Sequence, residues 1–273
     1  MKLLVTATLL WCGLAFAWVP ESHLPNQLKF EGVPLPSSNG DNPRIGLYIG
    51  KGVWDVGREH LKMFFAERGF TYRTLTAAEI LAGELANVKV LVMPGGESWE
   101  YLKELGPAGG EKIKAFVDSG GSYIGICAGA FYATSDRLGG YATGPYGIGL
   151  LQGTAYDGTA LHTRPFIEGM MNFPILPTTL TENIPTQLRM VMFGGPSFRF
   201  SRDEGARKGL QVLAKIEFID EPTMIAFNYG MGRVFLSGPH LEVEENRTGW
   251  GPAFTDPESD WPLLENIARR FEK

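Results

Sequence analysis

Cysteine is nearly absent from this chain: Cys12 and Cys127 are the two in 273 residues. A disulfide framework is therefore excluded, because Cys12 lies in an N-terminal segment that reads as removable, leaving one thiol without a partner. Such a thiol is a small buried hydrophobe, a reactive group, or half of an intermolecular bridge. An excess of positive charge is also lacking. Lys and Arg number 25 against 30 Asp and Glu, for a net charge of -5, and the pI is near 5.5. There is no basic patch of the kind nucleic acid requires. Beyond residue 16 no run is apolar enough to span a membrane, and no internal repeat is visible.

The segment MKLLVTATLLWCGLAFAWVPES pairs Lys2 with an apolar stretch from Leu3 to Phe16, then Ala15-Phe16-Ala17 in the small-x-small pattern of a cleavage site. It predicts a secretory signal peptide cut after Ala17 and an exported protein. The apolar stretch is shorter than the roughly 20 residues of a spanning helix, so no stable membrane insertion is expected after cleavage. The expected plan is a signal peptide at 1–17, an extended Pro/Ser/Asn/Gly-rich leader at 18–43, and one domain at 44–273. Asn246-Arg247-Thr248 is a glycosylation sequon, to be used only in a eukaryotic host.

From Arg44 onward short apolar runs alternate with helical periodicity. Strands are expected at Ile45–Ile49, Thr71–Leu75, Val88–Met93 and Ser122–Gly125, with helices at Val56–Arg68, Ala77–Leu85 and about Gly110–Ser119. That alternation predicts a parallel sheet covered on both faces, with sites at the carboxyl ends of its strands. The stretch Leu138–Thr163, rich in Gly and Tyr, carries no clean period. Shorter, partly antiparallel strands are expected at Thr178–Thr181, Met190–Phe193, Leu210–Ile216 and Thr223–Asn228. Turns are expected at Gly194-Gly195-Pro196 and Asp220-Glu221-Pro222. A strand at Arg233–Ser237 and a last helix at Trp261–Phe271 complete the domain.

Gly125-Ile126-Cys127-Ala128-Gly129 places the thiol between glycines at a strand end. A nucleophile on a sharp strand-to-helix bend needs glycine two positions to either side, because neighbouring backbone comes too close for side chains. The sulfur would then face the amino end of a helix starting at Ala128, which favours thiolate. Acyl chemistry also needs an imidazole and a group to orient it. His240 and Glu242 follow a strand two residues apart, so locally extended chain would point both the same way. His23, His60 and His162 have no such context. For an oxyanion, the backbone N–H of Ala128 and that of Gly95 or Gly96 in Pro94-Gly95-Gly96-Glu97 are the candidates. The Gly194–Phe198 loop and the tyrosines of the Tyr141–Tyr156 stretch either shape a pocket or pack on the sheet.

GICAG, PGGES and GPHLE, in that order on an alternating α/β chain, resemble the class I glutamine amidotransferase superfamily. Within it, YIGICAGAFYA, FGGPSF and GRVFLSGPHLE resemble the amidotransferase-like domain at the amino end of biotin-protein ligases and in stand-alone proteins, from about Arg44 to Phe271. The resemblance implies a flavodoxin-like three-layer sandwich with a mostly parallel central sheet and a nucleophile elbow. It also implies Cys127 as nucleophile, His240 as base, Glu242 as its orienter, and Gly96 and Ala128 at the oxyanion site. PGGES is shared with the glutaminase subunit of pyridoxal phosphate synthase, where the equivalents of Gly95, Gly96 and Glu97 contact glutamine. With no ligase domain, biotin-binding segment or synthase partner evident, water is the expected acceptor. The reading is an exported Cys-His-Glu amidohydrolase of the glutaminase/amidase kind, acting on a small-molecule or peptide amide through a thioester, with no metal and no cofactor. A non-catalytic binding protein that keeps the fold is the alternative.

Overall fold

A computed structural model describes residues 30, 32–139, 142–157, 168–251 and 254–273. The expected signal peptide and residues 18–29 of the leader lie outside the described residues. The first half runs β1 (Ser38–Asn39), β2 (Ile45–Tyr48), α1 (Asp55–Glu67), β3 (Tyr72–Leu75), α2 (Ala77–Ala82), β4 (Val90–Met93), α3 (Ser98–Asp118), β5 (Ser122–Ile126) and α4 (Ala128–Ala133). The second half adds β6 (Thr134–Gly139), β7 (Ala142–Pro145), β8 (Leu151–Tyr156), β9 (Glu168–Pro174), β10 (Gln187–Phe193), β11 (Ser197–Phe200), α5 (Arg202–Lys208), β12 (Gln211–Ile216), β13 (Glu221–Tyr229), β14 (Gly232–Ser237) and α6 (Trp261–Phe271).

Eight strands form the main sheet in the order β1-β3-β2-β4-β5-β14-β13-β12. The five from β3 to β14 are parallel, and β1, β13 and β12 join antiparallel. The order β3-β2-β4-β5-β14 is the flavodoxin-like 2-1-3-4-5, whose switch point lies between β2 and β4. Successive side chains on a strand point to opposite faces, so each strand feeds two cores. Ile45, Leu47, Val90, Val92, Ile124 and Ile126 meet Leu61, Phe64 and Phe65 of α1 and Leu264 and Ile267 of α6 on one face. Tyr48, Leu91, Met93 and Tyr123 meet Ile80 of α2 and Tyr101, Ile113 and Val117 of α3 on the other. Each fully buried large side chain stabilises by about 1.5–3 kcal/mol, which holds the three layers in register.

The described part of the leader lies on this domain: Leu35 N–H donates to Glu59, Lys62 donates to the Leu35 carbonyl, and β1 pairs with β3. Several expectations need correction. The helix expected from about Gly110 starts just past Gly106, whose φ of 57° breaks the helical path before Pro107, and a further helical piece that was not expected precedes it from Ser98. The helix expected through Leu85 ends at Ala82, because Gly83 takes the left-handed conformation (φ 99°) and a 3-10 turn follows at Glu84–Asn87. Thr178–Thr181 is a turn instead of a strand, closed by Thr178 N–H to Thr181 Oγ1 at 2.7 Å. Asp220 alone (φ 54°) makes the bend expected over Asp220-Glu221-Pro222, and β13 starts at Glu221. The stretch without a clean period holds the end of β6 with β7 and β8, which join β11 in a separate four-stranded sheet, and beyond it a two-stranded β9–β10 ribbon carries Phe193 toward the site. Residues 158–163 of that stretch, with His162, lie outside the described residues, as do His23 and Tyr141. Among the described residues no helix is long and apolar enough to cross a membrane.

Candidate active site

Cys127 stands where β5 gives way to α4, with φ 48° and ψ −103°. A non-glycine residue is strained there, and the strain holds the thiol at the point of a bend. The bend depends on Gly129, where an added Cβ would be 2.1 Å from the Met93 carbonyl oxygen. Tyr123 Oη pins the same turn by donating to the Gly129 carbonyl at 2.6 Å. Cys127 N–H donates to Ser237 at 2.8 Å and Gly129 N–H to Pro94 at 3.1 Å, stitching the elbow to β14 on one side and to the end of β4 on the other.

Because β5 and β14 are adjacent and parallel, the residues leaving their carboxyl ends emerge side by side. His240 is fixed by its N–H to the Val191 carbonyl at 2.9 Å, and its Nδ1 lies 2.8 Å from Glu242 Oε1. The two side chains face each other through a turn closed by Val243 N–H to the His240 carbonyl, not through the extended chain expected from their spacing. Trp261 Nε1 holds the Glu242 carbonyl at 2.8 Å. Both side chains are at most 1% exposed. Burial drives the imidazole toward its neutral form. The Glu242 charge, the Cys127 sulfur beside it and the hydrogen bond to Glu242 outweigh burial and raise His240 to a pKa of about 10. Its Nε2 and Glu242 Oε2 have no hydrogen-bond partner among the described residues.

Cys127 and His240 share a cavity of about 600 Å³ with Gly96 and Glu97. The thiol, 5% exposed, donates to the Phe193 carbonyl at 3.7 Å. Gly95 lies against the imidazole, where an added Cβ would be 2.4 Å from His240 Cε1. Its carbonyl accepts from Trp54 N–H and Tyr101 Oη. No acceptor meets the backbone N–H of Gly96 or Ala128 among the described residues, while Glu97 N–H is taken by the Gly52 carbonyl at 2.8 Å. Glu97 itself is exposed at the rim and accepts from Trp99 Nε1 at 3.0 Å. Seven residues singled out from the sequence thus come together, with Glu242 behind the imidazole. Among the described residues no group of three or more His, Cys, Asp or Glu could hold a metal ion.

Sequence reasoning missed several neighbours. Trp54, Trp99, Phe131 and Arg137 line the cavity. Trp54 meets the His240 ring edge-on at 4.8 Å and stacks on Phe193 at 6.0 Å. Buried Arg137 reaches Asp157 at 3.2 Å and the hydroxyls of Ser98 and Tyr146, with its guanidinium 4.1 Å from the Phe131 ring centre. Tyr146 is thus the described tyrosine of its stretch tied to the cavity wall. Of the Gly194–Phe198 loop, Gly194 lines the cavity, while Ser197 and Phe198 pair with β8. His60, dismissed for lack of context, sits on α1 behind the site, and its Nδ1 accepts from Glu244 N–H at 2.9 Å. Burial lowers its pKa to about 4, so it is neutral. The one available signal was Gly57 inside the α1 pattern: a Cβ there would be 2.7 Å from Glu242 Oε1.

The flavodoxin-like sheet, with a thiol on a strained elbow and a His–Glu pair beside it, has a glutamine amidotransferase-like fold. Comparison with known proteins agrees at the level of fold. A solved glutamine amidotransferase superposes with a TM-score of 0.58 at 19% identity, over 84% of this chain and 98% of that one. Another, from Thermotoga maritima, gives 0.56 at 16%, over 86% and 100%. Residues 60–139 match the family described as "Biotin-protein ligase, N terminal". The biotin-protein ligase of Schizosaccharomyces pombe is 25% identical over 178 residues, 58% of this chain and 26% of the ligase. A pyridoxal 5'-phosphate synthase subunit PdxT from Koribacter versatilis is 49% identical over 87 residues, 32% of this chain and 41% of that subunit. An uncharacterized protein of Chlamydia muridarum is 26% identical over 218 residues, 73% of this chain and 80% of its own length. The matches therefore span less than half of the ligase and of the synthase subunit.

Proposed function

We propose that this chain hydrolyses amide C–N bonds through Cys127 and that its mature form is exported. One observation carries the chemistry: His240 is held by Glu242 at 2.8 Å through one ring nitrogen, while the other has no hydrogen-bond partner among the described residues, in a cavity shared with the thiol. With its proton already held on His240, the Cys127 sulfur attacks the amide carbonyl carbon and the C–S bond forms. The carbonyl oxygen becomes an oxyanion, with the N–H groups of Gly96 and Ala128 as its donors. The intermediate collapses with cleavage of the C–N bond, and the leaving nitrogen takes the proton from His240. Water then gives a proton to His240 and attacks the thioester, releasing the acid and returning the sulfur beside the protonated imidazole. Glu242 stabilises the imidazolium at each stage and fixes the ring orientation.

Export rests on the pattern of Lys2, the apolar Leu3–Phe16 stretch and Ala15-Phe16-Ala17. The test of the chemistry is alkylation of Cys127 by iodoacetamide against pH, in wild type and His240→Ala, together with release of amine or ammonia from an amide panel. A rate profile that changes with His240→Ala, and turnover that is lost in folded Cys127→Ala, are expected. An inert thiol in folded protein, or turnover that survives Cys127→Ala, would overturn the reading.

A further inference from the structure

The walls around the thiol are aromatic. Trp54, Trp99, Phe131 and Phe193 line a cavity of about 600 Å³, within the ~300–1,000 Å³ of sites that enclose drug-sized molecules. Trp54 and Phe193 are only partly buried, and their rings stack at 19° to one another. Trp250 extends the stack behind Trp54 at 6.2 Å and 23°. This arrangement backs the cavity with flat, rigid surface that ordering a ligand need not freeze.

Trp99 is a separate observation. It is 38% exposed, and of the large apolar side chains left exposed among the described residues it is the one on this cavity. Its indole N–H is held by Glu97 at 3.0 Å, and the Lys103 ammonium lies 4.8 Å from the ring centre. These contacts hold the ring at the cavity rim with part of its surface open to a ligand in the cavity.

The buried positive charge on the wall is already matched: Arg137 meets Asp157 at 3.2 Å, while Glu97, which accepts from the neutral Trp99 indole, keeps its charge at the exposed rim. The carboxylate of a zwitterionic free amino acid would have to compete with Asp157 for Arg137. A neutral ring would not.

From these features we infer that the substrate is an aryl amide, with a flat aromatic group beside the scissile bond packed between Trp99 and the Trp54–Phe193 stack. The inference rests on the amide-hydrolase reading of Cys127 and adds the substrate class.

Two measurements test it separately from that reading. The first is alkylation of Cys127 by 2-chloroacetophenone and by chloroacetamide, where sulfur bonds to the methylene and chloride leaves, each rate being divided by that of free cysteine. The expected aryl-to-amide ratio is about tenfold, falling to near unity in Trp99→Ala. A ratio near unity in wild type, with chloroacetamide still reacting, overturns the aryl class and leaves the hydrolase reading standing. The second is calorimetric binding of phenylacetamide and of glutamine to Cys127→Ala, which needs no reactive thiol. Tighter binding of phenylacetamide, weakened about tenfold by Trp99→Ala, supports the class even if the thiol of the wild type is inert. Tighter binding of glutamine, or no binding of phenylacetamide, overturns it.

Discussion

His240 Nδ1 and Glu242 Oε1 meet at 2.8 Å with both side chains withdrawn from water, so the proton of the imidazolium is held by a carboxylate that solvent does not screen. Burial opposes that charge, yet Glu242 and the Cys127 sulfur raise the His240 pKa to about 10, above the 6.5 of a free imidazole. A raised histidine contributes stability that is complete below the unfolded value and lost as pH rises through the folded one. Wild-type stability to urea is therefore expected to decline between pH 7 and 10, and Glu242→Gln to flatten that decline. The same substitution is expected to lower amide turnover by roughly 10²-fold or more, since the ring loses its orienting charge. A wild-type profile no steeper than that of Glu242→Gln would sink the pairing.

The elbow stores strain that only the nucleophile's position explains. Cys127 at φ 48° lies where a Cβ is unfavourable, at a cost on the order of 1–3 kcal/mol. Cys127→Gly is expected to be more stable than Cys127→Ala by about 1 kcal/mol, after the entropy glycine gives to the unfolded chain is subtracted. Urea midpoints of the two variants decide it, and equal midpoints would show an unstrained bend.

Glu245 is 1% exposed, and its Oε1 accepts the Val191 N–H at 3.2 Å, on the residue whose carbonyl positions His240. Burial, together with nearby Asp256 and Glu244, raises its pKa from 4.5 to about 8 despite hydrogen bonds from backbone N–H groups. The folded state then binds the extra proton between those values, so this group's stability is present at low pH and lost as pH rises through about 8. Glu245→Gln keeps the acceptor and removes the charge. It is expected to stabilise the protein at pH 9 and to change little at pH 4. Thermal melts at the two pH values give the sign directly.

Arg137 and Asp157 form a pair whose side chains are 5% and 0% exposed. Removing one partner strips the other buried charge of its ion pair, so Arg137→Met is expected to cost about 3–5 kcal/mol. Arg137→Met combined with Asp157→Asn should recover most of it, because no buried charge is then left. A double-mutant cycle by chemical denaturation measures the coupling, and additive effects would mean that the pair does not act as a unit.

The elbow was legible because its requirements are local. A thiol flanked by Gly125 and Gly129 at the end of an apolar run needs no knowledge of distant residues. The same holds for β2, β4, β5, α1 and α6, whose apolar periods are strong enough to fix type and nearly fix boundaries. Thr178–Thr181 suggests a strand because threonine is β-branched, yet Thr178 and Thr181 close a turn with their hydroxyls. Gly106-Pro107 does interrupt α3, and the piece that sequence periodicity leaves out is the one before it, from Ser98, whose Tyr101 and Leu105 are buried against the sheet.

By itself, then, the sequence determined which residues could do chemistry and that they stand at strand ends, since both follow from periodicity and from steric demands within a few residues. Tertiary structure decided how they meet. The parallel pairing of β5 with β14 sets Cys127 beside His240, and a turn, instead of an extended chain, brings Glu242 onto the imidazole. The cavity wall is equally a product of the fold. Trp54 precedes α1, Trp99 opens α3, Phe131 lies on α4 and Phe193 ends β10, and no local pattern links four residues that only the crossing of those elements makes neighbours.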